Sequence, residues 1–123
     1  MKVIITAVTD KIEQSFNPRF GRSDYFIIVD TETRDWEAFQ NPAASAPCVA
    51  GPQAVQFIAD KGVNAVISGR YGPSAFTALN AAGIEAFIAK QGSVNDVLEQ
   101  FLAKDLESVN APTGEGLHGA ELR

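Results

Sequence analysis

The first 40 residues carry short apolar runs of the kind that form strands. The segments 2–8 (KVIITAV), 25–30 (YFIIVD) and 35–40 (DWEAFQ) are rich in β-branched or aromatic residues. Residues 31–34 are polar and predict a turn that joins the last two strands as a hairpin. Residues 9–22 contain proline and glycine without a sustained period, and we predict a long loop there.

From residue 50 onward, helical and strand patterns alternate. Gly51-Pro52 and Gly72-Pro73 each predict a helix start, because proline is favoured at the first helical position. Ser93, with an acidic residue three positions later, predicts a capping box. The apolar segments 63–68 and 84–89 are typical of buried parallel strands. The predicted inner faces of the helices are apolar: Ala54, Val55 and Ile58; Ala75, Phe76 and Leu79; Val94, Val97, Leu98, Phe101 and Leu102.

The resulting order, β-β-β-α-β-α-β-α, predicts an α/β fold with a mixed five-stranded sheet and helices packed on it. A chain of 123 residues is long enough for one hydrophobic core and short for two. We therefore expect a single domain over residues 1–106. Residues 107–123 hold three glycines, a proline and few apolar side chains, and they predict a flexible C-terminal tail.

Charge and composition exclude several classes of partner. The net charge is −5, whereas nucleic-acid binding depends on clustered Lys and Arg. No apolar run approaches the roughly 20 residues of a membrane-spanning helix. The single cysteine cannot form an internal disulfide, and the N-terminus lacks a signal-peptide pattern. These features predict a cytoplasmic protein that binds neither nucleic acid nor membrane, and they leave its oligomeric state open.

Two loops carry residues suited to an anionic ligand. Gly69, Arg70 and Gly72 precede a predicted helix start, where backbone N–H groups and the helix dipole favour negative charge. The alternative is that these residues only form tight turns and cap the helix. No Gly-Lys-Ser/Thr sequence follows, so this is not a Walker loop.

The long loop after the first strand contains a second candidate. Arg19 and Arg22 flank Phe20 and Gly21, and guanidinium groups bind carboxylates and phosphates well. The alternative is that Phe20 closes the sheet edge while both arginines are solvated.

Cys48 and His118 are the candidate metal ligands. Cys48 precedes a predicted helix start, where the helix dipole favours a thiolate, although a lone cysteine also fits a small buried apolar residue. His118 lies in the predicted tail, where an imidazole could close over a ligand. No Gly-x-Ser-x-Gly elbow is present, and Asp10 and Asp30 fit turn and strand-end roles, so catalysis is weakly indicated.

Several segments together resemble the dinitrogenase iron-molybdenum cofactor-binding family, over roughly residues 1 to 106. They are FGRSDYFIIVDTET (20–33), AGPQA (50–54), GVNAVISG (62–69), GPSAF (72–76) and LNAAGI (79–84). The resemblance implies a ribonuclease H-like motif fold. It also implies a role in carrying or handing over the iron-sulfur-molybdenum cluster, or its precursor, during nitrogenase assembly. Some members have a histidine before the Phe-Gly pair, where this chain has Arg19.

Resemblance and residues combine into one hypothesis: a non-catalytic carrier of the iron-molybdenum cofactor or an iron-sulfur precursor, which works with a nitrogenase-type assembly or target protein. The expected contacts are Arg19, Phe20, Gly21, Arg22, Gly51, Gly69, Arg70 and Gly72, with Cys48 and His118 as metal ligands. Two alternatives stay open. One is a regulatory or scaffold module without a cluster, and the other is a metal-dependent nuclease or hydrolase of the ribonuclease H-like fold.

Overall fold

A computed structural model describes residues 1–43 and 50–109, with the side chain of Ala50 excepted. None of the helices in these two ranges is long and apolar enough to cross a membrane. The elements are β1 (Lys2–Ala7), β2 (Tyr25–Asp30), β3 (Trp36–Gln40), α1 (Ala50–Asp60), β4 (Ala65–Ser68), α2 (Pro73–Ala82), β5 (Glu85–Ile88), α3 (Val94–Leu102) and β6 (Glu107–Ser108). The predicted strands and helices are confirmed, with ends that differ by one or two residues.

The sheet has six strands in the order β3-β2-β1-β4-β5-β6, so the predicted count of five was wrong by one. The pairs β1–β4 and β4–β5 are parallel, and the other pairs are antiparallel. The added strand, β6, has only two exposed residues, and no apolar pattern marks it. It is a strand because its backbone pairs with β5, in the register Phe87↔Ser108 and Ile88↔Glu107.

The sheet therefore extends past the domain boundary predicted after residue 106. The backbone N–H of Val109 donates to the carbonyl of Ala86 at 2.8 Å, and Val109 packs against the core. The rest of the predicted tail, residues 110–123, lies outside the described residues. The ribonuclease H-like topology stays a prediction.

The hydrophobic core has two layers, one on each face of the sheet. Helices α1 and α2 pack on the face that includes Ile4 and Val66, and α3 packs on the face that includes Val3, Ile5 and Ile67. Strand β1 supplies both layers because successive side chains of a strand point to opposite faces. The inner faces predicted for α1 and α2 are confirmed, and in α3 Val94, Val97 and Leu98 are buried.

The helix ends follow the local sequence signals. Gly72 is the N-cap of α2 with Pro73 in its first turn, and Gly83 ends that helix with a left-handed φ of 73°. The backbone N–H of Asp96 donates to Ser93 Oγ at 3.0 Å, and the Ser93 N–H donates to Asp96 Oδ2 at 3.2 Å. The predicted capping box is thus confirmed.

Tyr71 fixes the connection between β4 and α2. Its side chain is fully buried, and its ring centroid lies 5.7 Å from that of Phe20. The hydroxyl is 2.6 Å from the carbonyl oxygen of Phe87 and 3.2 Å from that of Val66, so it donates its proton within the sheet. Burial raises the pKa of Tyr71 well above its ordinary value of 10.0, and the folded protein keeps this phenol neutral.

Tyr71→Phe should lower the free energy of unfolding by about 1–2 kcal/mol at neutral pH, because the buried hydrogen bonds are lost. Because of the raised pKa, the unfolded chain ionises this phenol at a lower pH than the folded protein does. Above about pH 10 the free energy of unfolding of the wild type should therefore fall by about 1.4 kcal/mol per pH unit. Tyr71→Phe has no phenol at this position, so its free energy of unfolding does not fall for this reason. Urea unfolding at a series of pH values from about 9 to about 11 should therefore show the two proteins converging. Parallel curves would contradict this role of Tyr71.

Candidate functional site

The loops that follow β1 and β4 are joined at one edge of the sheet. Because these strands are parallel neighbours, their carboxyl ends lie together. The backbone N–H of Gly69 donates to the Pro18 carbonyl at 3.0 Å, and the N–H of Phe20 donates to the Arg70 carbonyl at 3.3 Å. Between these two contacts, Arg19 and Arg70 pair in a parallel β-bridge. Two residues 51 positions apart in sequence thus become lateral neighbours.

The Arg19–Arg70 pair places two positive charges side by side at the surface. Both residues are exposed. Within residues 1–43 and 50–109, no carboxylate forms a salt bridge with either guanidinium. Like charges on neighbouring backbone segments repel each other, and an anion bound between them removes that repulsion. The pair is therefore suited to bind a negatively charged group.

The start of α2 lies next to this pair in the chain. Gly72, two residues after Arg70, caps α2 without any side-chain hydrogen bond to the first turn. The unpaired N–H groups of a helix N-terminus carry a partial positive charge. Helices α1 and α2 begin close together. A Cβ on Gly51 would lie only 2.9 Å from the Cβ of Ala75. The backbone dipoles thus add positive potential near Arg70.

A buried hydroxyl pair supports the joined loops from below. Thr6 and Ser68 are fully buried, with 2.9 Å between their hydroxyl oxygens. Thr6 Oγ1 also donates to the Asn17 carbonyl, and the Asn17 N–H donates to the Thr6 carbonyl at 2.9 Å. Our reading of the sequence missed this pair. Its signal is a polar residue near the carboxyl end of each of two otherwise apolar strand segments.

A second set of hydrogen bonds holds the far part of the long loop. Ser23 is fully buried, and its Oγ lies 3.1 Å from the Ala7 N–H nitrogen and 2.8 Å from the Tyr25 carbonyl oxygen. Asn41 Nδ2 donates to the carbonyls of Gly21 and Ser23 at 3.0 and 2.9 Å. Sequence reasoning also missed Ser23 and Asn41. They fix the loop without offering a free group to a ligand.

The predicted contact residues fall into different structural roles. Arg19 and Arg70 form the surface pair, whereas Phe20 is 1% exposed and its ring stacks on Phe26 at a centroid distance of 5.8 Å. Phe20 is thus part of the core, as the structural alternative predicted. Gly21 and Arg22 are half-buried, and Arg22 has interactions of its own.

Cys48 and His118 both lie outside the described residues, so ligation by them stays a prediction. Across the described ranges, no group of three or more His, Cys, Asp or Glu side chains could hold a metal ion.

Gly69 allows the two loops to touch. A Cβ at this position would lie 2.7 Å from the Pro18 Cβ and 2.9 Å from its Cα, so Gly69→Ala must push the loops apart. We expect a loss of about 1–3 kcal/mol in the free energy of unfolding, measured in urea. Gly72→Ala is the control, because a Cβ on Gly72 meets nothing within 4 Å, and its effect should stay below about 1 kcal/mol. Equal effects of the two changes would contradict the close approach.

Comparison with known proteins places this architecture in a family. An uncharacterized protein of Methanocaldococcus jannaschii is 30% identical over 111 residues, which cover 87% of this chain and 94% of that protein. The apo form of the orange protein from Desulfovibrio gigas has a TM-score of 0.88 at 30% identity, covering 92% of this chain and 96% of its own. A Thermotoga protein provisionally described as NifB, solved by NMR, has a TM-score of 0.83 at 35% identity, with coverage of 94% and 98%.

The sequence match to a family is as extensive as the structural likeness. Residues 1–104 match the family described as dinitrogenase iron-molybdenum cofactor, which is most of the 123-residue chain. This range includes both loops that form the Arg19–Arg70 bridge. The chain therefore belongs to the dinitrogenase iron-molybdenum cofactor family.

Proposed function

We propose that this protein is a non-catalytic carrier of an anionic metal-sulfur cluster, either the iron-molybdenum cofactor or an iron-sulfur precursor. The observation that carries the proposal is the Arg19–Arg70 bridge, an exposed pair of guanidiniums beside the start of α2. Family membership supplies the class of cargo. The proposed partner is a nitrogenase-type assembly or target protein that receives the cluster.

Electrostatics supports an anionic cargo. The chain as a whole has a net charge of −5, so a general attraction for anions is absent and binding depends on a local concentration of positive charge. Such a concentration of positive charge is formed by Arg19, Arg70 and the α2 N-terminus. Guanidiniums and backbone N–H groups also donate hydrogen bonds, which cluster sulfur atoms and oxyanions accept.

The openness of the site supports a carrier rather than a permanent holder. The paired arginines lie at the surface, and the described residues offer no closed set of metal ligands. In this proposal Cys48, two residues before α1, supplies an exchangeable thiolate bond, and His118 supplies an optional second ligand. Few covalent bonds and a strong electrostatic contribution permit release to a partner.

The comparisons support the proposed context. The orange protein is similar along nearly its whole length and was solved in an apo form. The Thermotoga protein of similar fold is provisionally described as NifB. They are 30% and 35% identical to this chain, so the likeness includes the sequence as well as the fold.

The double change Arg19→Gln and Arg70→Gln should reduce cluster retention. We expect the wild-type chain, incubated anaerobically with ferrous iron, sulfide and molybdate and then desalted, to keep iron and molybdenum. The double variant should keep about tenfold less, because two charge-assisted contacts are lost. Elemental analysis by mass spectrometry gives the metal content, and visible absorbance reports cluster formation.

Lys2→Gln with Lys104→Gln is the matched control, since Lys2 begins β1 and Lys104 lines a cavity with Met1, so both exposed charges lie at the opposite end of β1. It should retain as much metal as the wild type. Equal retention by both double variants would refute a specific role of the arginine pair.

Cys48→Ala tests the covalent part of the proposal. Loss of the only cysteine should abolish the thiolate-to-metal absorption band and lower metal retention to the level of the desalting blank. Cys48→Ser is a second variant of nearly unchanged size. If the wild type and Cys48→Ala both give featureless spectra and no bound iron, the carrier function is wrong.

A further inference from the structure

Strand β3 is an edge of the sheet, and half of its backbone groups point outward. The Asp30 N–H donates to the Asp35 carbonyl at 2.9 Å, and the Asn41 N–H donates to the Asp24 carbonyl at 3.0 Å. In an antiparallel ladder, hydrogen-bonded positions alternate. Glu37 and Phe39 therefore bond to β2.

It follows that Trp36, Ala38 and Gln40 direct their N–H and C=O groups away from the sheet. Within the described part of the chain no strand pairs with this side of β3.

Within β3 itself, several of the usual protections against edge pairing are missing. Natural edge strands carry proline, an inward charge or a bulge, or they are very short. β3 has five residues in regular register with β2, with no proline and no lysine among them. Trp36 is 42% exposed, which is unusual for so large an apolar side chain. The edge is thus competent to pair with another strand.

We propose that β3 is a self-association surface, through which two copies of this chain pair antiparallel about a two-fold axis at Ala38. The outward groups of Trp36, Ala38 and Gln40 then meet those of Gln40, Ala38 and Trp36 of the partner subunit. Each pair exchanges two hydrogen bonds, which joins the two sheets into one. The proposal is independent of any cluster.

Charge complementarity selects this register. With Ala38 on the axis, Glu37 lies opposite Phe39 of the partner subunit in a close, non-hydrogen-bonded pair. Within one chain, Lys61 Nζ is 4.4 Å from the Phe39 ring centroid, and Glu37 lines the same groove as Lys61. Each Glu37 carboxylate thus meets the ammonium group of the other copy, twice in the symmetric dimer.

Neighbouring registers are less favourable. An axis at Glu37 would place the two Glu37 carboxylates directly opposite each other, and like charges in that position repel. An axis at Phe39 would place Trp36 opposite Pro42, which has no N–H to donate. Only the register centred on Ala38 satisfies every outward group of β3 and pairs opposite charges.

The test uses charge reversal at two exposed positions. The two strands bury a small interface, so dimerisation should depend on concentration, and sedimentation velocity of the full chain over a wide concentration range measures it. Glu37→Lys alone and Lys61→Glu alone should each weaken dimerisation by about tenfold or more, because both contacts become repulsive. An equimolar mixture of the two variants should regain wild-type association, since every contact across the axis then pairs opposite charges.

Glu85→Lys and Lys11→Glu are matched controls, because they make the same charge changes at exposed positions outside β3. Both should dimerise like the wild type. Ala38→Pro is a second approach, since it removes an outward N–H and leaves the β2 ladder intact, and it should abolish dimers while far-UV circular dichroism stays unchanged. A wild-type chain that is monomeric at every concentration would overturn the proposal. So would dimers that persist in Glu37→Lys or that fail to re-form in the mixture.

Discussion

The parallel pairing of β1 with β4 is the interaction on which the candidate site depends. These two strands occupy the centre of the sheet and are buried on both faces, with Val3, Ile4, Ile5, Val66 and Ile67 fully excluded from solvent. Side chains packed from both directions fix the strand register, because a shift by one residue would exchange the two core layers. The loops that leave the two carboxyl ends are therefore held at a defined separation, close enough to bond to each other.

The buried aromatic rings beneath these loops explain why the two arginines are at the surface. The rings of Phe20 and Tyr71, each adjacent in sequence to one of the arginines, are buried against each other. The buried Thr6 and Ser68 hydroxyls satisfy one another and the loop backbone. In extended backbone, successive side chains point to opposite sides, so the burial of one residue leaves its neighbour facing solvent. Each arginine is thus exposed because the aromatic residue after it is anchored in the core.

The arginine pair and the β3 edge have different electrostatic and structural character. At the carboxyl ends of the parallel strands, Arg19 and Arg70 concentrate positive charge in an acidic protein. At one edge of the sheet, β3 directs backbone N–H and C=O groups outward, with Glu37 and Lys61 nearby. The two surfaces share no residue. A chain paired through β3 would therefore keep both arginine pairs accessible, and one dimer would present two candidate anion sites.

The sequence by itself determined the order of the first eight elements, the inner helix faces and the capping signals, because each depends on residues within a few positions of one another. It also marked Arg19 and Arg70 as candidate anion ligands, and it identified the family. Only the tertiary structure decided that these two arginines are neighbours, that Phe20 belongs to the core, and that Glu107–Ser108 form a sixth strand. Each of these facts depends on contacts between residues far apart in the chain, and local periodicity carries no information about such contacts.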